Sequence, residues 1–446
     1  MLLSGFEKLA NYAATFLDKI FWCVFYESCI TLPKVESPHI KRHSNGGIVM
    51  QIAKMPGEKN GDSLGLMSAE AVADARRYHA SFPQYAPTPL CDLRHLAEAY
   101  GVHRFFVKDE SYRFGLNAFK VLGSSYAIGR YLARRAGLRP DETTYATLTS
   151  EAFRAACGDI TFITATDGNH GRGVAWTAHA LGQHSVVYMP KGSRPERLEN
   201  IRAAGAEASI TDLKYDDVVR MASEQAEKHG WVLVQDTAWP GSEEIPGWII
   251  TGYGTMAAEI VEAMPEPPTH VFLQAGVGSM AAGVAAVLKA AWPENPPTMI
   301  IVEPTTADCF YRSAAAHDGK RHFAEGDMKT IMAGLACGEP CSIAWDILQH
   351  TSDFALTCED FTAADAMRTL GAPLGDDPRI ISGESGASGV GAALALLSRE
   401  ENKALAEAVG LGRDATILCI STEGATDRER YRDITWHGAF AAPKTR

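Results

Sequence analysis

One lysine among apolar residues is the first feature of this 446-residue sequence that could do covalent chemistry. Lys120 stands in Ser111-Tyr-Arg-Phe-Gly-Leu-Asn117-Ala-Phe-Lys120-Val-Leu-Gly123-Ser-Ser, flanked by Ala118, Phe119, Val121 and Leu122. Two readings are open. The side chain snorkels from a helix and keeps its charge in water. Alternatively, partial burial lowers its pKa, and the neutral amine attacks a carbonyl to form a Schiff base.

Three further loops carry residues of the same interest. Ile163-Thr-Ala-Thr166-Asp167-Gly168-Asn169-His170-Gly171-Arg-Gly173 follows an apolar run. Gly168, Gly171 and Gly173 would let the backbone approach a flat ligand. Asn169 offers a neutral amide donor to a ring oxygen. Asp167 is either a general base at the mouth of a strand or an Asx turn or helix N-cap. Phe272-Leu-Gln-Ala275-Gly276-Val277-Gly278-Ser279-Met280-Ala-Ala-Gly283 runs strand, glycines, helix, a pattern whose successive backbone N–H groups suit a phosphate. It resembles a dinucleotide fingerprint whose third glycine comes two positions late, and Glu303 stands near the distance of the acidic partner. A nucleotide-dependent oxidoreductase therefore stays open on this loop. Finally, Ser421-Thr422-Glu423-Gly424 closes the last apolar run with hydroxyls that either cap a helix or meet a ring nitrogen.

These loops need strand ends to hold them. From Asp159 onward, strand-length apolar runs (160–164, 185–189, 208–210, 232–235, 271–274, 299–302 and 416–420) alternate with helical patterns at 174–181, 216–229 and 256–264. That alternation predicts parallel sheets covered on both faces, with ligands beyond the carboxyl ends of the strands. A Schiff-base lysine, a neutral donor, a phosphate cradle and a strand-end hydroxyl, in this order, describe a holder for pyridoxal 5′-phosphate.

Composition narrows the partners. Hydrophobic residues make up 46% and charged residues 22%, ordinary for a globular chain. With 42 basic and 54 acidic residues the formal charge is −12, which argues against a nucleic-acid partner. The nine cysteines form no Cys-x-x-Cys pair and no zinc-spaced cluster, so reduced thiols and no metal are expected. The apolar run 20–26 is too short to cross a bilayer, so no membrane partner is expected. Residues 1–45 read as an N-terminal extension of unknown role that leaves organelle targeting open, and a cytoplasmic location is the expectation.

Pro87-Thr88-Pro89-Leu90, Asn117-Ala-Phe-Lys120, Asp167-Gly-Asn-His-Gly and Gly276-Val-Gly-Ser resemble the fold type II pyridoxal-phosphate enzymes. Within them the sequence is most similar to the diaminopropionate ammonia-lyases, on Phe114 to Lys120, Thr166 to Gly171, Val234-Gln-Asp236-Thr-Ala-Trp239 and Thr330 to Leu335. The resemblance covers about residues 75 to 435. It implies an α/β fold of two domains, each a mostly parallel sheet flanked by helices, with the active site in the cleft between them. Residues 46–137 and 265–446 would form the large cofactor-binding domain, and 138–264 the smaller one carrying the Asp-Gly-Asn-His loop.

The implied activity is α,β-elimination of ammonia from 2,3-diaminopropionate. A serine/threonine or D-serine dehydratase is the alternative. Lys120 would hold the cofactor and act as base on the L-isomer, and Asp167 as base on the D-isomer. Asn169 would meet the ring oxygen; Gly276, Val277, Gly278, Ser279 and Met280 the phosphate; Thr422, with Ser421 as alternative, the pyridine nitrogen. Asp236 would bind the substrate's ammonium leaving group or serve as a turn residue. Gly383-Glu384-Ser385-Gly386-Ala-Ser388-Gly389 is either a nest for the substrate carboxylate or a helix start. A homodimer is the default assembly.

Overall fold

The computed structural model describes residues 50–57, 61–166, 168–239 and 241–443, with the backbone alone at Asp216. The expected extension, 1–45, and Asp167 lie outside the described residues.

Among the described residues, eleven strands build two sheets. The larger has the order β1-β10-β9-β8-β11-β3-β2: β1 (Ile52–Lys54), β10 (Phe354–Cys358), β9 (Thr298–Pro304), β8 (His270–Gln274), β11 (Thr416–Ser421), β3 (Arg104–Asp109) and β2 (Leu90–Asp92). The edge strands β1 and β2 run antiparallel to their neighbours, and the others are parallel. The smaller sheet has the order β6-β5-β4-β7: β6 (Glu207–Ile210), β5 (His184–Met189), β4 (Thr161–Ala165) and β7 (Val232–Leu233), all parallel.

The central strands are mostly apolar because both faces are buried. Phe106, Val271, Leu273, Ile301, Leu418 and Ile420 enter one core, while their neighbours Phe105, Val107, Phe272, Ile300, Ile417 and Cys419 enter the other. The period of two along each strand thus feeds two helical layers. Helices α1 (Ala69–Ala80), α2 (Val121–Arg135), α6 (Glu244–Ala263) and α7 (Ser279–Ala291) pack together on the first side. On the second lie α9 (Asp360–Gly371) and α10 (Glu384–Ser398). The smaller sheet carries α3 (Asn169–Ala180) and α4 (Pro195–Ala203) on one face and α5 (Tyr215–His229) on the other. Residues 138–264 hold all four strands of this sheet. Yet α6, the last helix of that stretch, packs on α1, α2 and α7 over the larger sheet.

The expected strands are present within one or two residues except at 232–235, where pairing ends at Leu233. There the Gln235 amide turns back to accept from Ala165 N (3.3 Å) and donate to Ala165 O (3.1 Å), replacing the ladder with a side chain. No helix among the described residues is long and apolar enough to cross a membrane.

Candidate active site

The loops singled out in the sequence converge at the carboxyl ends of β4, β7, β8 and β11. Lys120 immediately precedes α2, and the segment before it is stitched to the exit of β11. Phe119 N donates to Thr422 O (3.1 Å), Gly424 N donates to Asn117 O (3.0 Å), and Ala118 bridges Glu423. The Lys120 Nζ donates to Asp236 Oδ2 at 2.5 Å, with the lysine side chain 20% exposed and the aspartate 9%. Asp236 is tied in turn to the third loop, its carbonyl accepting from Ser279 Oγ at 2.7 Å.

The electrostatics correct one expectation. Burial, the largest influence, pushes the Lys120 amine down as expected, but the charges of Asp236 and Tyr253 and the hydrogen bond to Asp236 together hold it above its ordinary value. Burial likewise pushes Asp236 up, and the charges of Lys120 and then His170 more than reverse it. The free chain therefore keeps Lys120 protonated and paired with the Asp236 carboxylate.

Glycines 276 and 278 have protein against them. A Cβ at Gly276 would lie 2.9 Å from Gly334 O, and one at Gly278, whose φ is +91°, would lie 2.3 Å from Phe310. This places the Thr330–Leu335 motif directly beneath the third loop. The backbone amides of Gly276, Val277, Gly278, Ser279 and Met280 donate to no described residue, and they open α7. Five free donors at a helix N-terminus fit a phosphate. The Ser279 hydroxyl is spent on Asp236, so Ser279 can offer the phosphate its amide.

In the second loop the glycines do something other than expected. Cβ atoms at Gly171 and Gly173 would meet Thr166 and Val187 (2.3 and 2.8 Å) and Ser124 and Val121 (2.7 and 3.1 Å). Gly168 faces the Arg197 side chain at 3.1 Å. Gly171 and Gly173 seat α3 on β5 and on α2 rather than clearing space for a flat ligand. Thr166 Oγ1 accepts from Gly168 N (3.0 Å) and Gly171 N (3.3 Å), which ties the start of α3 to the end of β4. Asn169 begins α3, and its Nδ2 donates to Glu423 Oε2 at 2.5 Å, across to the larger sheet. His170 is oriented by Nε2 against Val234 O (2.9 Å), with Nδ1 3.9 Å from Asp236 Oδ2.

The strand-end hydroxyls divide. Ser421 Oγ donates to Ser382 Oγ at 2.8 Å, on the opposite face of the strand from its neighbour. Thr422 Oγ1 accepts from Gln274 Nε2 at 3.2 Å, which leaves its own hydrogen to give. A hydroxyl so arranged fits a ring nitrogen that accepts. The Gly383–Gly389 loop opens α10. Gly383 N donates to Glu423 O (2.9 Å) and Ser385 N to Glu423 Oε1 (3.3 Å), so this nest already holds a carboxylate of the chain itself.

Glu303, the acidic residue of the oxidoreductase reading, is fully buried and accepts from Phe310 N (2.9 Å) and Tyr311 N (2.8 Å) at the start of α8 (Cys309–Ala315). It is a helix anchor and presents nothing to a ribose.

Two features escaped the sequence. Glu423, buried between both sheets, is one. The other is a closed ion network behind the Lys120 loop. Lys108 Nζ meets Glu259 Oε2 (2.7 Å), while Arg113 meets Glu259 (2.7 Å) and Glu110 (2.8 Å), with Thr88 bonded to Glu110 (2.6 Å). Lys108 and Asp109 end β3 inside the protein, and no sequence pattern marks charged residues as interior; a strand candidate with charged ends was the available signal.

The family model of pyridoxal-phosphate dependent enzymes matches residues 82–422. The diaminopropionate ammonia-lyase of Escherichia coli (strain K12) is 50% identical over 386 residues, covering 86% of this chain and 95% of that one. The crystal structure of the E. coli holo enzyme superposes with a TM-score of 0.83 at 47% identity, covering 88% of this chain and 98% of that chain. The same enzyme in complex with an aminoacrylate-PLP azomethine reaction intermediate gives 0.79 at 47% identity, with the same coverage. The chain belongs to the pyridoxal-phosphate dependent enzymes, and within them to the diaminopropionate ammonia-lyase family.

Proposed function

We propose that this chain uses pyridoxal 5′-phosphate to remove ammonia from 2,3-diaminopropionate, yielding pyruvate and two ammonia molecules after hydrolysis. The observation that carries the reading is Lys120 in contact with Asp236, whose carbonyl is bonded to the cradle of free amides at Gly276 to Met280. When bound, the cofactor supplies the electron sink that makes the substrate's Cα proton acidic.

The chain's own residues supply the rest. Gly276, Val277, Gly278, Ser279 and Met280 hold the phosphate through backbone amides. Asn169 meets the ring oxygen and Thr422 the ring nitrogen. Lys120 must lose its proton to solvent before its amine can attack a carbonyl, while Asp236, whose carboxyl is held below its ordinary value, keeps its charge. Lys120 then removes the Cα proton of the L-isomer, and Asp167 that of the D-isomer. Once Lys120 is neutral, Asp236 is a buried carboxylate without its cation, and it receives the substrate's β-ammonium. That step favours an amine over the hydroxyl of serine, which brings no charge to a carboxylate. The protein acts as a homodimer in the cytoplasm, with an amino acid as its small-molecule partner.

Pyruvate and ammonia release from D- and L-2,3-diaminopropionate, set beside serine and threonine, tests the substrate. Release from diaminopropionate well above serine is expected; the reverse ranking would make the chain a dehydratase.

A further inference from the structure

The amide of Asn169 is held by a partner that the sequence did not single out. A carboxylate only accepts, so the group facing Glu423 Oε2 at 2.5 Å must be the Asn169 NH₂, and its flip is fixed. One N–H is used there and one remains. The carboxylate is itself anchored: Ser385 N donates to Oε1 (3.3 Å) and Thr426 Oγ1 to Oε2 (3.4 Å). Glu423 directly follows Thr422, is 5% exposed, and its backbone bridges Ala118, two residues before Lys120. A Cβ at Gly383 would come within 3.1 Å of its Oε1, so the pocket around the carboxylate is close-fitting. Burial first and the charge of Glu423 second push the neighbouring Glu384 carboxyl up to about 7.

We propose that Glu423 is a positioning residue for the cofactor: it fixes the Asn169 amide so that the remaining N–H is delivered to the ring oxygen. This rests on the reading of Asn169 as the donor to that oxygen. Glutamine at 423 could still accept, but it loses the charge and allows the Asn169 amide to turn over. A tether that merely held the sheets together would show in stability and would not depend on that charge.

The test reconstitutes apo wild type, Asn169→Ala, Glu423→Gln, Glu423→Asp and the Asn169→Ala/Glu423→Gln pair with pyridoxal 5′-phosphate, without substrate. Two quantities are read: the cofactor's dissociation constant and the position of its visible band. Glu423→Gln is expected to weaken binding roughly tenfold, the scale of one charge-assisted hydrogen bond, and to move the band. Glu423→Asp should keep the band nearer wild type, and Glu423→Gln should add nothing once residue 169 is alanine. Thr426→Val, which removes a longer bond to the same carboxylate, should shift both quantities in the same direction but by less. The inference is overturned if Glu423→Gln changes neither quantity, acts equally with alanine at 169, or is matched by Thr426→Val. If Asn169→Ala alone changes neither, the reading of Asn169 falls and takes this inference with it. Should Glu423→Gln fail to fold, the cycle of Asn169→Ala with Glu423→Asp reads the same coupling.

Discussion

Lys108 and Lys120 are twelve positions apart, and both meet a carboxylate, yet their surroundings differ. Lys108 ends β3 in a network of four charges, each with a side chain no more than 1% exposed. Its Nζ also donates to Thr88 O at 2.7 Å, and Glu259 receives Lys108, Arg113 and Tyr85 together. Two cations and two anions cancel, and nothing is left to react. Among the described residues Lys120 has one ionic partner, and its side chain is 20% exposed. A saturated ion pair is architecture, and an under-coordinated one at a strand end is chemistry.

Removing the reactive member should have the largest effect on turnover and a small one on folding. Lys120→Ala is expected to lose activity by roughly 10⁴-fold or more, the scale of deleting a nucleophile. It should also lose the visible cofactor band, with the apo melting temperature little changed. Normal turnover, or borohydride trapping the cofactor on another lysine, would break the contrast.

Asp167→Asn sharpens it next. General-base deletion costs ~10²–10⁴-fold, and that loss should fall on the D-isomer while the L-isomer is comparatively spared. Steady-state rates on both isomers decide, since a cap lost or kept would scale both alike.

The saturated network should answer in stability. Glu259→Gln leaves two buried cations short of an anion and should cost about 3–5 kcal/mol in urea unfolding, with activity per folded molecule nearly unchanged. The same network predicts a pH effect. Burial pushes Glu259 up, but the hydrogen bonds and charges of Arg113 and Lys108 hold it below its ordinary 4.5. Its contribution is therefore complete above the ordinary glutamate range and is lost as pH falls through the depressed folded value. Acid titration of wild type should show this loss, and Glu259→Gln should remove it.

The smallest effect is expected at Gly173, where an added methyl would press on Val121 and Ser124. Gly173→Ala should cost about 1–3 kcal/mol by overpacking, read by thermal melting. A neutral result would mean that α2 and α3 can give way.

The contrast also explains what could be read from the sequence. Strands whose apolar runs were unbroken, such as 271–274 and 416–420, were legible because burial on both faces needs apolar residues throughout. β3 was not, since Lys108 is interior only because of Glu259, which lies 151 positions away in the chain. Lys120 and the Gly276–Met280 loop were legible because a reactive amine and a phosphate cradle each demand particular residue types. Glu423 was hidden because its contact with Asn169 joins residues 254 positions apart. Gly171 and Gly173 were noticed for the wrong reason: sequence shows that a side chain is missing, but not which neighbour fills the space.

The close seat of α3 on α2 has a mechanical consequence. Gly173 lets the helix that follows Asn169 touch the helix that follows Lys120 almost backbone to backbone, and close-packed surfaces of this kind resist sliding. On the outer side, Arg194 reaches Asp427 (3.0 Å) and Glu429 (2.9 Å) through a side chain 40% exposed, a contact of the kind worth ~0–1 kcal/mol. The molecule therefore has a spine and a clasp. If the two sheets move relative to one another, the seam at Gly173 should shift least and the Arg194 contact should break first.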